Sequence, residues 1–215
     1  MKGLKAHLVL VFLKHIIYTN NITAIGITFL YNSKLFYIRC FNLKLLLVLF
    51  VSVISLFAIS PEQLKVLQEV RDVARTISDK NGITYEDTIS AICLTESSAG
   101  KNIIGDFKPN IVITNASLGV MQVQVATARY LSTRINALAW IKQLSNAQIA
   151  NKLLSDVELS ARISSHYIVL LINHRKNYFK AVSGYNGGMI NHPYYARVMK
   201  NMKLIRKLKL HGKIT

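Results

Sequence analysis

Apolar positions recur at helical spacing through most of the chain after residue 60. Ser60-Pro61-Glu62 is typical of a helix start, because it offers a capping hydroxyl, a proline where no donor is needed and an acid in the first turn. Apolar residues from Leu64 to Ile77 then share one face, and Asn81-Gly82 supplies a stop. The pattern predicts a first amphipathic helix that begins near Pro61.

The second predicted helix carries an acid on its apolar face. Thr84-Tyr-Glu-Asp87 offers a capping box for its start. Glu96 follows Ile92 and Cys93 by four and three residues, so its carboxylate lies on the side that the helix turns toward the core. The stretch from Ser97 to Asn115 then has the Gly, Pro and Asn content of a loop.

The rest of the chain predicts more helices and no sheet. Five further helices are expected, near residues 127–132, 145–154, 156–175, 177–183 and 193–203. Asp156 and Glu158 open one of them, where acids favour the helix dipole, so we interpret them as helix-start residues and not as catalytic groups. No strand alternation of useful length and no internal repeat is present, and the predicted class is mainly α.

The first sixty residues have the pattern of an export leader. Lys34, Arg39 and Lys44 precede an uncharged run over 45–59, which is shorter than the roughly 20 residues that usually span a bilayer. We predict a leader over 1–60, with a signal peptide or an uncleaved anchor at about 43–60, and a single domain over 61–215. Residues 1–42 fit a misassigned start, with Leu43 as the true first residue. The mature protein would be exported, periplasmic or associated with the cell wall, or held at the inner membrane by an uncleaved N-terminal segment.

Charge and cysteine content narrow the function classes. The predicted domain holds 21 basic residues and all 10 acidic ones, a net charge of +11. Such a field favours polyanionic surroundings, and a solvated Lys-rich surface explains it equally well. Nucleic acid is not expected as a partner, because the export signal places the protein away from genomic DNA. Loss of the leader would leave Cys93 as a single thiol, which we interpret as a small buried residue.

Glu96 is the strongest candidate for chemistry. Desolvation and the negative end of its helix dipole both favour the protonated carboxyl, so a raised pKa is expected. A carboxylic acid that keeps its proton near neutral pH can protonate the leaving oxygen of a glycosidic bond. A buried glutamate tied to an arginine or to backbone donors explains the position equally well. His166, His174 and His192 lack metal-ligand spacing, and we expect no metal and no cofactor.

Four short motifs follow in order: Thr95-Glu-Ser-Ser98, Ser117-x-Gly119-x-Met-Gln-Val123, Ala181-x-x-x-Tyr-Asn-x-Gly188 and Tyr195-x-x-Val198. In content, order and spacing they resemble the lytic transglycosylase family with a goose-type lysozyme-like domain. The resemblance covers most of residues 64–200 and implies that fold.

The resemblance also implies a site and a reaction. Glu96 would be the sole catalytic carboxylate, acting first as acid and then as base in the non-hydrolytic cleavage of the bond between N-acetylmuramic acid and N-acetylglucosamine, which leaves 1,6-anhydro ends. Tyr185 would lie nearest to it and Tyr195 would support it. The implied substrate-binding residues are Ser97, Ser117, Gly119, Met121, Gln122, Tyr185, Asn186 and Tyr195.

Two alternatives stay open beside a peptidoglycan lytic transglycosylase. One is a lysozyme-type hydrolase that uses water on the same scaffold. The other is an exported protein that binds or assembles peptidoglycan without turnover. Exo and endo cleavage both fit, and so do roles in wall recycling, in opening the wall for a secretion or conjugation machinery, and in serving a phage.

Overall fold

Seven α-helices make up most of residues 59–105 and 112–215, the part of the chain that the computed structural model describes. They are α1 (Pro61–Arg75), α2 (Glu86–Ser97), α3 (Val125–Ser132), α4 (Asn146–Ser155), α5 (Val157–Arg175), α6 (Tyr178–Tyr185) and α7 (His192–Leu210). The mainly α class is therefore confirmed. The predicted leader over 1–60, with its start and its signal segment, lies outside the described residues except at residues 59 and 60. Its boundary with a domain over 61–215 stays a prediction.

The two predicted helix starts had different outcomes. At α1, the Ser60 hydroxyl accepts from the Gln63 amide at 3.3 Å, while the Gln63 side chain accepts from the Ser60 amide at 2.9 Å. The capping box predicted at Thr84 is wrong, because Tyr85 occupies the cap position and makes no side-chain cap bond. Thr84 forms an isolated antiparallel bridge with Ser78, and its hydroxyl donates to the Glu86 carboxylate at 2.8 Å.

The second helix lies at the centre of the domain. Most side chains of α2 are buried, and α2 packs against α1 on one side and most extensively against α7 on another. The buried stripe of α7 consists of Tyr194, Val198, Met202 and Ile205. This spacing of four, four and three residues keeps the stripe on one helix face. Residues Ile59–Thr215 form one compact unit around this core.

Several elements extend or add to the prediction. Helix α3 begins two residues before the predicted start, and α7 continues to Leu210 instead of ending near 203, because Ile205 keeps its buried stripe going. A 3₁₀ segment at Asn136–Gln143 was not predicted, and another covers Ile113–Asn115. Two strands, β1 (Ile104–Gly105) and β2 (Ser117–Leu118), pair antiparallel and are too short to show alternation. Among the described residues, no helix combines the length and the apolar character that a membrane span requires.

A buried ion pair joins α1 to α2. Arg71 is fully buried and donates to Asp87 at 2.8 Å and to the Thr215 carbonyl at 2.7 Å. Lys209 of α7 also lies 3.4 Å from Asp87. Burial alone would raise the pKa of Asp87, but the hydrogen bond and charge of Arg71 outweigh it and hold this pKa below 3.8. Asp87 thus stays charged and compensates the arginine.

Candidate active site

A cleft of about 530 Å³ opens where α2 ends. Its walls come from the end of α2, from β1, from the segment that runs from β2 into α3, and from α5 and α6. The described residues that line it are Glu96, Gly105, Ser117, Gln122, Val123, Gln124, Thr127, Ile163, Ser164, Tyr167, Tyr185, Asn186 and Gly187. Glu96 is the only acid among these described lining residues.

Glu96 is held by a tyrosine of α7. The Tyr194 hydroxyl donates to Glu96 Oε1 at 2.5 Å, and Tyr194 is only 1% exposed. Burial, followed by the charge of Glu96, raises the pKa of Tyr194 far above 10.0. The hydroxyl therefore keeps its proton and remains a donor.

The prediction that Tyr195 supports the carboxylate is corrected by this contact. Tyr195 points to the neighbouring face of α7, where its ring packs edge-on against Phe179 at 4.9 Å and Tyr178 at 6.3 Å between centroids. One helical step separates Tyr194 from Tyr195, and only Tyr194 belongs to the buried stripe of α7. The spacing from Val198 and Met202 is the sequence signal that identifies Tyr194.

Tyr185 lines the cleft and joins three segments. Its hydroxyl donates to the Met121 carbonyl at 2.9 Å, so the 2.7 Å contact with Ser164 has the serine as donor. Burial, and then the charge of Glu96, raises the pKa of Tyr185 well above 10.0. Tyr185 is thus a neutral side chain whose pKa is affected by the nearby Glu96 carboxylate. The hydrogen bond to Glu96 is donated by Tyr194.

Ser97 does not line the cleft, contrary to the prediction. It is fully buried, and its hydroxyl donates to the Val120 carbonyl at 2.6 Å and accepts from the Gly100 amide at 2.8 Å. These bonds attach the end of α2 to the 119–122 turn. Cys93, one turn earlier, is also buried, and burial raises its pKa to about 12. Both side chains hold the wall of the cleft in place.

Gly119 and Met121 are buried beneath the cleft and do not line it, which corrects two further predicted substrate contacts. Gly119 has φ +73, and a β-carbon there would lie 1.9 Å from the Leu153 carbonyl oxygen. The glycine lets the turn pass against α4. Met121 contributes its carbonyl to Tyr185, while its side chain is fully buried.

Gln122 reaches the cleft through an unusual backbone conformation. Its φ is +51, which non-glycine residues seldom adopt outside sites where the surrounding structure imposes it. The side-chain amide donates to the Gly119 carbonyl at 2.8 Å. Gly105 makes room for it, because a β-carbon there would lie 2.0 Å from Gln122 Oε1. Ser117 also lies at the cleft, as predicted, whereas Gly105 was missed.

The segment around Asn186 forms another part of the rim of the cleft. Asn186 is exposed and accepts from the Asn191 amide at 3.0 Å. Arg175 donates to the Gly188 carbonyl at 2.8 Å and to the Lys180 carbonyl at 2.6 Å, which anchors the rim on the end of α5. The structure therefore places Asn186 at the cleft, as the sequence predicted.

Helices α3 and α5 contribute lining residues that the sequence reasoning missed. Thr127, Ile163, Ser164 and Tyr167 lie on helical stripes that look like ordinary core positions. No local signal separates them from core residues, because only the packing of α5 against α3 and α6 brings them to the cleft. Within residues 59–105 and 112–215, no group of three or more His, Cys, Asp or Glu side chains lies close enough to hold a metal ion.

A comparison with known protein families matches residues 72–203 to the transglycosylase SLT domain. No curated protein and no solved structure matches the chain. The matched range covers more than half of the chain and includes Glu96, the 119–122 turn, Tyr185 and Tyr194. This domain supports lytic transglycosylase activity in general, with peptidoglycan as the substrate, and agrees with the lysozyme-like helical fold. The chain belongs to the transglycosylase SLT domain family.

Proposed function

We propose that the protein cleaves the β-1,4 bond between N-acetylmuramic acid and N-acetylglucosamine without water and leaves 1,6-anhydro ends. One observation carries the proposal: Glu96 lies in the wall of a 530 Å³ cleft, held by the buried Tyr194 hydroxyl, as the only acid among the described lining residues. A cleft of this size, with polar groups converging on it, suits a few sugar residues.

Glu96 acts twice in this reaction. Its carboxyl first donates a proton to the glycosidic oxygen, and the bond from that oxygen to the muramic C1 breaks. The carboxylate then takes the proton of the muramic C6 hydroxyl, whose oxygen bonds to C1. The proton given to the leaving sugar is thereby recovered, and no water is consumed. Intramolecular attack replaces the second carboxylate of ordinary glycosidases, with effective molarities that reach about 10⁵ M or more.

Three neutral side chains orient the glycan. Gln122 and Asn186 both line the cleft and offer amides to sugar hydroxyl and acetamido groups. Tyr185 supplies an uncharged surface close to Glu96, because its pKa is raised. Hydrogen bonds from neutral amides suit an uncharged sugar without adding charge beside the acid.

The test is incubation of the full chain, wild type and Glu96→Gln, with purified sacculi, followed by mass analysis of the released glycans. Glutamine keeps the size of the side chain and removes its acid and base functions. Wild type is expected to release anhydromuropeptides, and the variant is expected to lose at least about a thousandfold in rate, since one group supplies both proton transfers.

Two other outcomes identify the alternatives. Muramic ends heavier by one water, with no anhydro ends, would show a lysozyme-type hydrolase. Retention of both proteins on sacculi without any released glycan would show a peptidoglycan-binding protein, provided that circular dichroism shows both to be folded.

The variant Asp106→Asn is a further control in this assay, because it tests for a second catalytic carboxylate. Asp106 follows Gly105 in the sequence and lies outside the described residues. Asp106→Asn is expected to keep the anhydro product and to change its rate by less than about tenfold. A loss as large as that of Glu96→Gln would replace the single-acid mechanism with a two-carboxylate one.

We also propose that the protein is exported and works in the periplasm or at the cell wall. The uncharged run at 45–59, preceded by basic residues, supports this proposal, and peptidoglycan lies outside the cytoplasm. Cell fractionation with N-terminal peptide mapping is the test. A mature N-terminus near residue 60 indicates a cleaved signal, an intact 45–59 peptide in the membrane fraction indicates an anchor, and recovery in the cytoplasm contradicts export.

A further inference from the structure

A second cavity lies beside the catalytic cleft. This side pocket has a volume of about 740 Å³, and its lining includes Tyr130, Arg134, Leu170, His174 and Arg175. Thr127 and Tyr167 line both the side pocket and the catalytic cleft. These two side chains are common to both linings, so the side pocket is a direct neighbour of the cleft.

The side pocket is lined by both basic and apolar side chains. Arg134 and Arg175 contribute two guanidinium groups, and no acid is among the described residues that line the pocket. Leu170 and the ring of Tyr167 supply the apolar part. A binding site for neutral sugars does not require arginines, because hydrogen bonds to hydroxyl groups need no positive charge. The composition instead suits a ligand that carries both carboxylates and small apolar groups.

The Arg134 guanidinium is already oriented for such a ligand. It lies 3.8 Å from the centroid of the Tyr130 ring and donates to the Thr133 hydroxyl at 3.1 Å. Stacking on the Tyr130 ring restricts the Arg134 side chain. Among the described residues that line the pocket, no acid forms an ion pair with its guanidinium. A planar guanidinium held in this way can bind a carboxylate through two parallel hydrogen bonds.

We propose that the side pocket binds the short acidic peptide that muramic acid carries in peptidoglycan. The inference rests on the proposed function, since a glycan strand in the cleft is what brings its peptide to the shared edge at Thr127 and Tyr167. The peptide's carboxylates face Arg134 and Arg175, and its alanine methyl groups face Leu170 and Tyr167. The enzyme thereby distinguishes strands that carry peptides from stripped strands.

The test compares two substrates with the full chain. One is glycan strands that carry their peptides, and the other is the same strands after an amidase has removed them. Wild type, Arg134→Ala and the control Lys200→Ala are assayed for kcat and KM. Lys200 is an exposed cation of α7 outside the side pocket, so its removal controls for net charge.

Arg134→Ala is expected to raise the KM for peptide-bearing strands by about fivefold or more, the size expected for one carboxylate contact at a partly exposed site. Its kcat, and its KM for stripped strands, should stay within about twofold of wild type. Arg134→Lys should restore only part of the loss, because an ammonium lacks the two parallel donors. Lys200→Ala should behave as wild type on both substrates.

Equal effects of Arg134→Ala on both substrates, or none on either, would overturn the proposal. A loss shared by Lys200→Ala would assign the effect to overall charge and would overturn it as well. These results differ from a failure of the proposed function, in which wild type releases no anhydro ends from either substrate.

Discussion

Tyr194 donates its hydroxyl proton to Glu96 Oε1 at 2.5 Å and so joins two residues that are 98 positions apart in the chain. The contact connects the last turn of α2 to the first turn of α7. The hydrogen bond holds Oε1 of the carboxylate in place. Tyr194 acts on the reaction through Glu96 and is therefore a positioning residue.

Removal of this hydroxyl is expected to slow catalysis more than it weakens binding. Tyr194→Phe keeps the buried ring, so we expect kcat to fall by about ten- to a hundredfold with KM changed by less than about threefold. The measurement is steady-state release of anhydro ends. Tyr195→Phe is the matched control, since no hydrogen bond of its hydroxyl occurs among the described residues, and it should keep kcat within about twofold. The reverse pattern would return the supporting role to Tyr195.

Substitution by alanine should destabilise the protein to very different extents at two glycines that have similar backbone angles. Gly119 and Gly82 have φ +73 and +78, so alanine is strained at both. A β-carbon at Gly82 meets nothing within 4 Å, whereas one at Gly119 meets the Leu153 carbonyl oxygen at 1.9 Å. Urea unfolding should show a loss of about 1 kcal/mol for Gly82→Ala and about 3 kcal/mol or more for Gly119→Ala. Equal losses would mean that the turn does not press against α4.

Loss of the partner of the buried arginine should destabilise the domain. Asp87→Ala leaves Arg71 buried and without its carboxylate, and we expect the free energy of unfolding to fall by roughly 2–4 kcal/mol. Asp72→Ala removes an exposed pair with Arg75 and should cost less than about 0.5 kcal/mol. Both values come from denaturant unfolding at pH 7. A small effect at Asp87 would mean that solvent reaches Arg71.

The lowered pKa of His166 leads us to expect a loss of stability in mildly acidic solution. Burial, and then the charge of Arg162, lowers the pKa of His166 below its ordinary 6.5. The unfolded chain therefore binds the proton first, and the stabilising contribution, complete above pH 6.5, is lost as pH falls through this value toward the folded pKa. The free energy of unfolding should drop between pH 7.5 and 5.5.

His166→Gln isolates this contribution, because the other histidines are present in both proteins. The variant should lose less stability than wild type over the same pH range. Carboxylates with lowered pKa values, such as Asp79 and Asp87, titrate below pH 4 and do not contribute there. Parallel pH curves for the two proteins would contradict the assignment.

Sequence patterns predicted the helices well because each buried face leaves a periodic trace. The stripe over Leu64 to Ile77 and the capping residues at Ser60 and Asp156 needed no long-range information. Glu96 could be singled out for the same reason, since a carboxylate on an apolar face is conspicuous. The predicted box at Thr84 failed because a local bridge to Ser78 competes for that segment.

The details of the cleft could not be predicted in the same way. A motif's order and spacing do not tell which of its side chains point into a cavity, and Ser97 and Met121 point into the core instead. The position of the Gln122 side chain depends on the absence of a β-carbon at Gly105, and no local sequence rule connects these two residues. Tyr194 was also missed, although its spacing from Val198 and Met202 shows its place in the buried stripe of α7.

The pairing of α2 with α7 has a mechanical consequence. Glu96 near the end of α2 meets Tyr194 near the start of α7, and Asp87 at the start of α2 meets Lys209 at the end of α7, so the helices run in opposite directions. Nine residues of helix place the Asp87 cluster about 14 Å from the carboxylate. The contact between Asp87 and Lys209 helps to fix the register of α7 along α2. A shift of α7 that separates Lys209 from Asp87 also moves Tyr194 away from Glu96. Loosening the remote end should make turnover more sensitive to temperature well before the domain melts.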